Sequence, residues 1–216
     1  MQGIIKKNGN YKKLLSYQKT DVIYHITFYF CENYLSKGDR TVNQMVQAAR
    51  SGKQNIVEGC AASATSSKTE IKLVNVAKAS LQELLEDYRD YLTTRNHRIW
   101  EADSREFIFM RQLGSTHNDV KFFMNIIKTR PPETIANMAI ILIKQADYLL
   151  YRQLERLEAD FINDGGFSER MASFRKKSVA IRAKRPKSLR TLKTLRTLMT
   201  LVIKPKFYIR DLAKNL

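Results

Sequence analysis

Ile71, Val74, Ala77, Leu81, Leu84, Leu85, Tyr88 and Tyr91 or Leu92 recur at steps of three and four residues. Such a row lies on one face of an α-helix, whereas a half-buried strand alternates every second residue. The spacing is close to a seven-residue repeat, which suits a partner helix crossing at about 20°. Ser67-Lys68-Thr69-Glu70 stands directly ahead of the row and matches the S-x-x-E capping box. A helix is therefore predicted from Lys68 to about Arg95.

Three more segments share this period. Val22, Ile23, Ile26, Phe30 and Tyr34 line a first helix from Asp21, a plausible N-cap, to about Lys37. Tyr24, Phe28 and Tyr29 widen its face enough to predict burial on two sides. Gly38 and Asp39 then end one helix and cap the next, which runs from about Arg40 to Gly59 on Val42, Met45, Val46, Ala49, Ile56, Val57 and Cys60. Gly52 inside it costs about 1 kcal/mol relative to alanine, so a close packing partner is expected. Pro131-Pro132-Glu133 opens the last long helix with proline in the first turn. Its stripe runs from Ile135 through Leu142, Leu150 and Leu157 to Phe161, and Gly165-Gly166 stops it. Between the third and fourth rods, Asp103 or Ser104 and Asp119 are placed to cap two short helices, the first ending at Gly114.

Four prolines and eight glycines in 216 residues exclude a turn-rich β fold. The expected class is all-α: an antiparallel four-helix bundle with extra short helices between the third and fourth long helices. Residues 1–19 read as an irregular lead-in, 20–168 as the bundle with a helical insertion at 96–130, and 169–216 as a basic, disordered tail. Cys31 and Cys60 are too few for a disulfide framework and fall on apolar stripes, so they read as small buried hydrophobes in a reducing compartment. No apolar run approaches the roughly 20 residues that span a bilayer. Met1 to Leu15 holds no apolar stretch of a secretion signal, and a cytoplasmic protein is expected.

The formal charge is +17, and it is unevenly spread. Residues from Arg170 onward hold 15 of the 38 lysines and arginines but only one acid, Asp211. Arg175, Lys176, Lys177, Arg182, Lys184, Arg185 and Lys187 are the candidate nucleic-acid contacts there, because a basic segment with almost no acid condenses on phosphates. From Arg175 it holds no stacking aromatic before Phe207, so base-specific reading is not expected. A membrane-surface helix is the alternative for this segment.

Residues 40–92 carry a distinctive pattern. Arg50-Ser51-Gly52-Lys53-Gln54-Asn55-Ile56-Val57-Glu58-Gly59 is followed by a small-residue linker, by Ser67-Lys68-Thr69-Glu70, and by Ser80-Leu81-Gln82-Glu83-Leu84. This resembles the bacterial four-helix bundle family first named for proteins encoded in intervening sequences of large-subunit ribosomal RNA genes. The later block Gln145-Ala146-Asp147-Tyr148-Leu149-Leu150 with Gly165-Gly166-Phe167 is similar to the subgroup carrying a four helix bundle suffix domain. The resemblance covers roughly residues 15–175. More distantly the chain is similar to the accessory variability determinant of diversity-generating retroelements, which binds nucleic acid and a reverse transcriptase. The resemblance implies a homo-oligomeric ring, often a pentamer, with no enzymatic activity, no cofactor, and RNA, DNA or a reverse transcriptase as partner.

Candidate contacts follow from this pattern and from charge. Arg50, Lys53, Gln54, Asn55 and Glu58 occupy the non-core side of the second helix and read as a subunit contact or a nucleic-acid contact. The third helix reverses the order its macrodipole favours, with Lys68, Lys72 and Lys78 first and Glu83, Glu86, Asp87 and Asp90 last. Head-to-tail packing, basic half on acidic half, would compensate and closes naturally into a ring. Gly52-Lys53 does not complete a phosphate-binding loop, since residues 47 and 54 are both Gln. His25, His97 and His117 lie on separate elements and form no metal-binding spacing, so a metalloenzyme core is not expected. Trp100 is expected to plug the end of the bundle.

Overall fold

The computed structural model describes residues 10–36, 38–164 and 167–183. Lys184, Arg185 and Lys187 of the expected nucleic-acid contacts lie outside these residues. The chain divides into two units, Met1–Arg170 and Met171–Leu216. Among the described residues every regular element is helical and no strand occurs. After a short 3-10 turn at Tyr11–Lys13 come α1 (Leu15–Tyr34), α2 (Arg40–Ala62), α3 (Ser67–Thr94), α4 (Arg105–Thr116), α5 (Val120–Ile127), α6 (Pro132–Asp164) and α7 (Phe167–Ala183).

In the first unit α2 lies against α1 and α3, and α6 lies against the same two helices. The four share one core, to which Ile23, Phe30, Met45, Ile56, Leu81, Leu84, Tyr88, Leu142 and Leu150 contribute. The α3 row is buried as its spacing requires, except that Ile71 is half-buried. Phe30 meets Tyr91 edge-on with ring centroids 4.7 Å apart. Tyr88 is fully buried, and its hydroxyl donates to Thr27 Oγ1 at 3.0 Å.

The segment between α3 and α6 explains why α6 is apolar over more than one face. Residues 135–143 are buried without interruption. A helix in that state needs neighbours all round. α4 packs on α6 through Met110 and Gly114, and α5 packs on α1, with Phe123 and Ile127 buried. The link into α4 is held by Asn137 of α6. Its Oδ1 accepts from the Trp100 amide at 2.8 Å, and its Nδ2 donates to the Arg98 carbonyl at 2.8 Å. Trp100 is half-buried and packs against the core.

Several boundaries differ from expectation. α1 begins at Leu15, a turn and a half before Asp21, so the lead-in is partly helical and Asp21 is not a cap. The early turns carry polar residues that are nonetheless buried. Ser16 Oγ donates to Gln153 Oε1 at 2.8 Å, and Thr20 Oγ1 donates to the Tyr17 carbonyl at 2.9 Å. These internal partners let polar side chains occupy a core-facing row. The α3 cap is Ser66 and not Ser67: its extended backbone precedes the helix, and its Oγ accepts from the Thr69 amide at 3.1 Å. Asp39, Ser104 and Asp119 cap α2, α4 and α5. Gly114 does not end α4, which continues to Thr116. Residues 167–183 form α7, so the segment expected to be a disordered tail from 169 begins as a helix.

Candidate functional site

The small residues of α2 set its distance to α3. A Cβ at Gly52 would stand 2.8 Å from Leu81 Cδ2, closer than side chains tolerate, so Leu81 fills the space that glycine leaves. The residue before each of these, Ser51 and Ser80, shares an Oγ–Oγ hydrogen bond of 2.9 Å across the same seam. Asn55 Nδ2 donates to the Ser51 carbonyl at 2.9 Å and to Ser51 Oγ at 3.1 Å. Both bonds stay within α2, so Asn55 reaches the α2–α3 seam only through the Ser51 hydroxyl.

Lys53 faces the other way, toward α1. Its Nζ pairs with Asp21 Oδ1 at 3.2 Å and sits 4.1 Å from the centre of the Tyr24 ring. His25 Nε2 approaches the same carboxylate at 3.7 Å. Arg50, Gln54 and Glu58, four residues apart, form the outward row between these two sides. Arg50 and Glu58 are exposed, and Gln54 Nε2 donates to Glu58 Oε1 at 3.3 Å. The five residues read as one site thus split: Asn55 bonds back to Ser51, Lys53 pairs with α1, and Arg50 and Glu58 face solvent with Gln54 half-buried between them.

A polar groove of about 440 Å³ runs beside this strip, lined by Gln44, Gln47, Ser51, Ser80, Glu83 and Asp87. Its charged members are acids. Burial, with Asp90 and Glu83 nearby, holds the Asp87 carboxyl above the usual carboxylate range. This groove repels phosphate. Lys68 and Lys72 are exposed in the first turns of α3. Lys78 is engaged within the molecule, 3.6 Å from Asp147 of α6, which also accepts from Gln82 Nε2 at 2.8 Å. Part of the reversed charge order of α3 is therefore answered internally.

Arg175, Lys176 and Lys177 are exposed on α7, and Arg182 lies in its last turn. Glu169 is the one acid in that helix.

Lys19 was not singled out by the pattern, yet it is the most deeply buried charged residue described, 2 % exposed. Its Nζ donates to the carbonyl of Gly114 and, at 3.1 Å, to that of His117, so a cation closes the C-terminal end of α4. Burial lowers its pKa to about 8. A signal was present: Lys19, Val22, Ile23 and Ile26 sit at steps of three, four and seven, which puts the lysine on the core-facing row. Cys31 and Cys60 are buried as their stripes require. Burial pushes the Cys31 thiol up to about 12, far from thiolate chemistry. Among the described residues no three of His, Cys, Asp and Glu stand together as a metal site, and no helix is long and apolar enough to cross a membrane. Comparison with protein-family models, with curated proteins and with solved structures returned no match.

Proposed function

We propose that this chain is a non-enzymatic scaffold: an antiparallel four-helix bundle of the intervening-sequence type that assembles as a ring, often a pentamer in that family, and binds RNA or DNA through α7 and the basic segment after it. The segregation of charge carries this reading. The C-terminal stretch from Arg170 is nearly free of acids, and Arg175, Lys176 and Lys177 project from α7 into solvent. Within the first unit, by contrast, Lys53 and Lys78 are paired with carboxylates and Lys19 is buried. Phosphate binding without base reading suits an array of cations that carries few aromatics. A reverse transcriptase or another nucleic-acid enzyme is the protein partner this reading admits.

Fluorescence anisotropy of the full chain on labelled RNA and DNA duplexes tests it. Binding is expected to weaken about a thousandfold between 50 and 200 mM salt if six phosphates are contacted. Absence of binding to both nucleic acids at low salt would sink the proposal. The second reading, a module that contacts proteins only, is favoured by the internal hydrogen bonding of Lys53, Gln54 and Asn55. The ring rests on the exposed Lys68 and Lys72 meeting an acidic α3 end in the next subunit. A K68E/K72E variant is expected to lose assembly mass in size-exclusion light scattering, and an unchanged mass would remove the head-to-tail contact.

A further inference from the structure

A second groove, of about 770 Å³, opens between α4, α6 and the first turns of α1. It exists because α4 rests on α6 without closing on α1. Three large apolar side chains line it while remaining more than half exposed: Leu15 at 53 %, Ile108 at 54 % and Tyr148 at 61 %. That much exposed apolar area in one concavity marks a binding surface.

Charge gives the groove a chemical preference. Its charged lining residues are Lys19, Arg111 and Lys144, and no acid lines it. Lys19 is committed to the α4 carbonyls. Arg111 and Lys144 are exposed on opposite helices, and among the described residues neither has an ion-pair partner.

We propose that this groove binds a small amphipathic anion, with an apolar chain lying along Leu15, Ile108 and Tyr148 and a carboxylate between Arg111 and Lys144. Acyl carboxylates have this chemistry, and neutral acyl amides lack the charge.

Isothermal titration of the full chain with N-decanoylglycine, kept below its micelle-forming concentration, tests the site. Saturable one-to-one binding is expected, and likewise for decanoate, which carries the same chain and charge. N-decanoylglycinamide should bind about tenfold more weakly, and R111E and K144E should each weaken N-decanoylglycine by at least about that factor. Both substituted residues are exposed, and an unchanged helical circular dichroism signal and Tm verify that the variants fold. No saturable binding, or equal binding by wild type and both variants, overturns the proposal. So does a change of assembly mass in I108E, which would mean that a second copy of the chain covers the groove.

Discussion

The two flanks of the first unit handle polar groups in opposite ways. Between α2 and α3, Gly52 lets Leu81 come close, and Ser51, Ser80 and Asn55 satisfy one another across the seam. Between α4 and α6 the approach is close only at Gly114, where a Cβ would collide with Gln145 Oε1. Beyond that point the helices part, and among the described residues two amide oxygens lack a hydrogen-bond partner and Arg111 and Lys144 lack an ion-pair partner. Small side chains in a row let helices settle their own hydrogen bonding. One small residue among larger ones leaves capacity for something else to bind.

The largest expected effect sits where the open flank is anchored. Lys19→Ala removes a buried side chain and leaves the Gly114 and His117 carbonyls unpaired, so urea unfolding is expected to show a loss of about 2–5 kcal/mol. The charge itself makes a pH-dependent contribution of known sign. Below about pH 8 the buried amine is protonated in folded and unfolded chain alike, and its desolvation opposes folding. Between there and the ordinary lysine range the folded chain has released a proton that the unfolded chain still holds. Stability attributable to Lys19 therefore rises with pH across that window. Lys19→Met should abolish this rise, and the same slope in wild type and variant would contradict it.

Smaller effects discriminate the closed flank itself. Gly52→Ala gains about 1 kcal/mol of helix propensity yet must displace Leu81, and a net loss of about 1–2 kcal/mol is expected. Gly59→Ala meets only ordinary contacts, with its Cβ 3.5 Å from Leu73 Cβ, and should stabilise by about 0.5–1 kcal/mol. Thermal unfolding of the two variants side by side checks the contrast, and equal shifts in the same direction would show that the seam is not set by Gly52.

How far the sequence was readable follows the same division. The rows of α2, α3 and α6 were legible because large apolar residues keep the helical period, and Asp39, Ser104 and Asp119 announced their helices through cap chemistry. The packing role expected of Gly52 was legible from its cost in a helix interior. The first turns of α1 were not, because Ser16 and Lys19 are buried by virtue of partners far along the chain. The outward strip of α2 read as one site, but alternate residues of a helix serve different neighbours: Lys53 pairs with Asp21 of α1, while Asn55 bonds back to Ser51 of its own helix. The α4–α6 groove left no trace in spacing, since it depends on where two helices part. α7 was missed because its basic residues follow no apolar stripe, and helicity there rests on backbone propensity instead of burial.

The account rests on the run of cations in the C-terminal stretch, nearly free of acids, meeting phosphate, while the exposed cations of the first unit are interspersed with acids. The most direct test is the slope of log affinity against log salt for an RNA duplex, measured with wild type, R175E/K176E/K177E and R50E/K72E. The α7 variant is expected to lose about two to three units of slope, close to one per phosphate contact removed, with the α2–α3 variant unchanged. A slope that falls only in R50E/K72E would contradict the account and return the binding surface to the helical core.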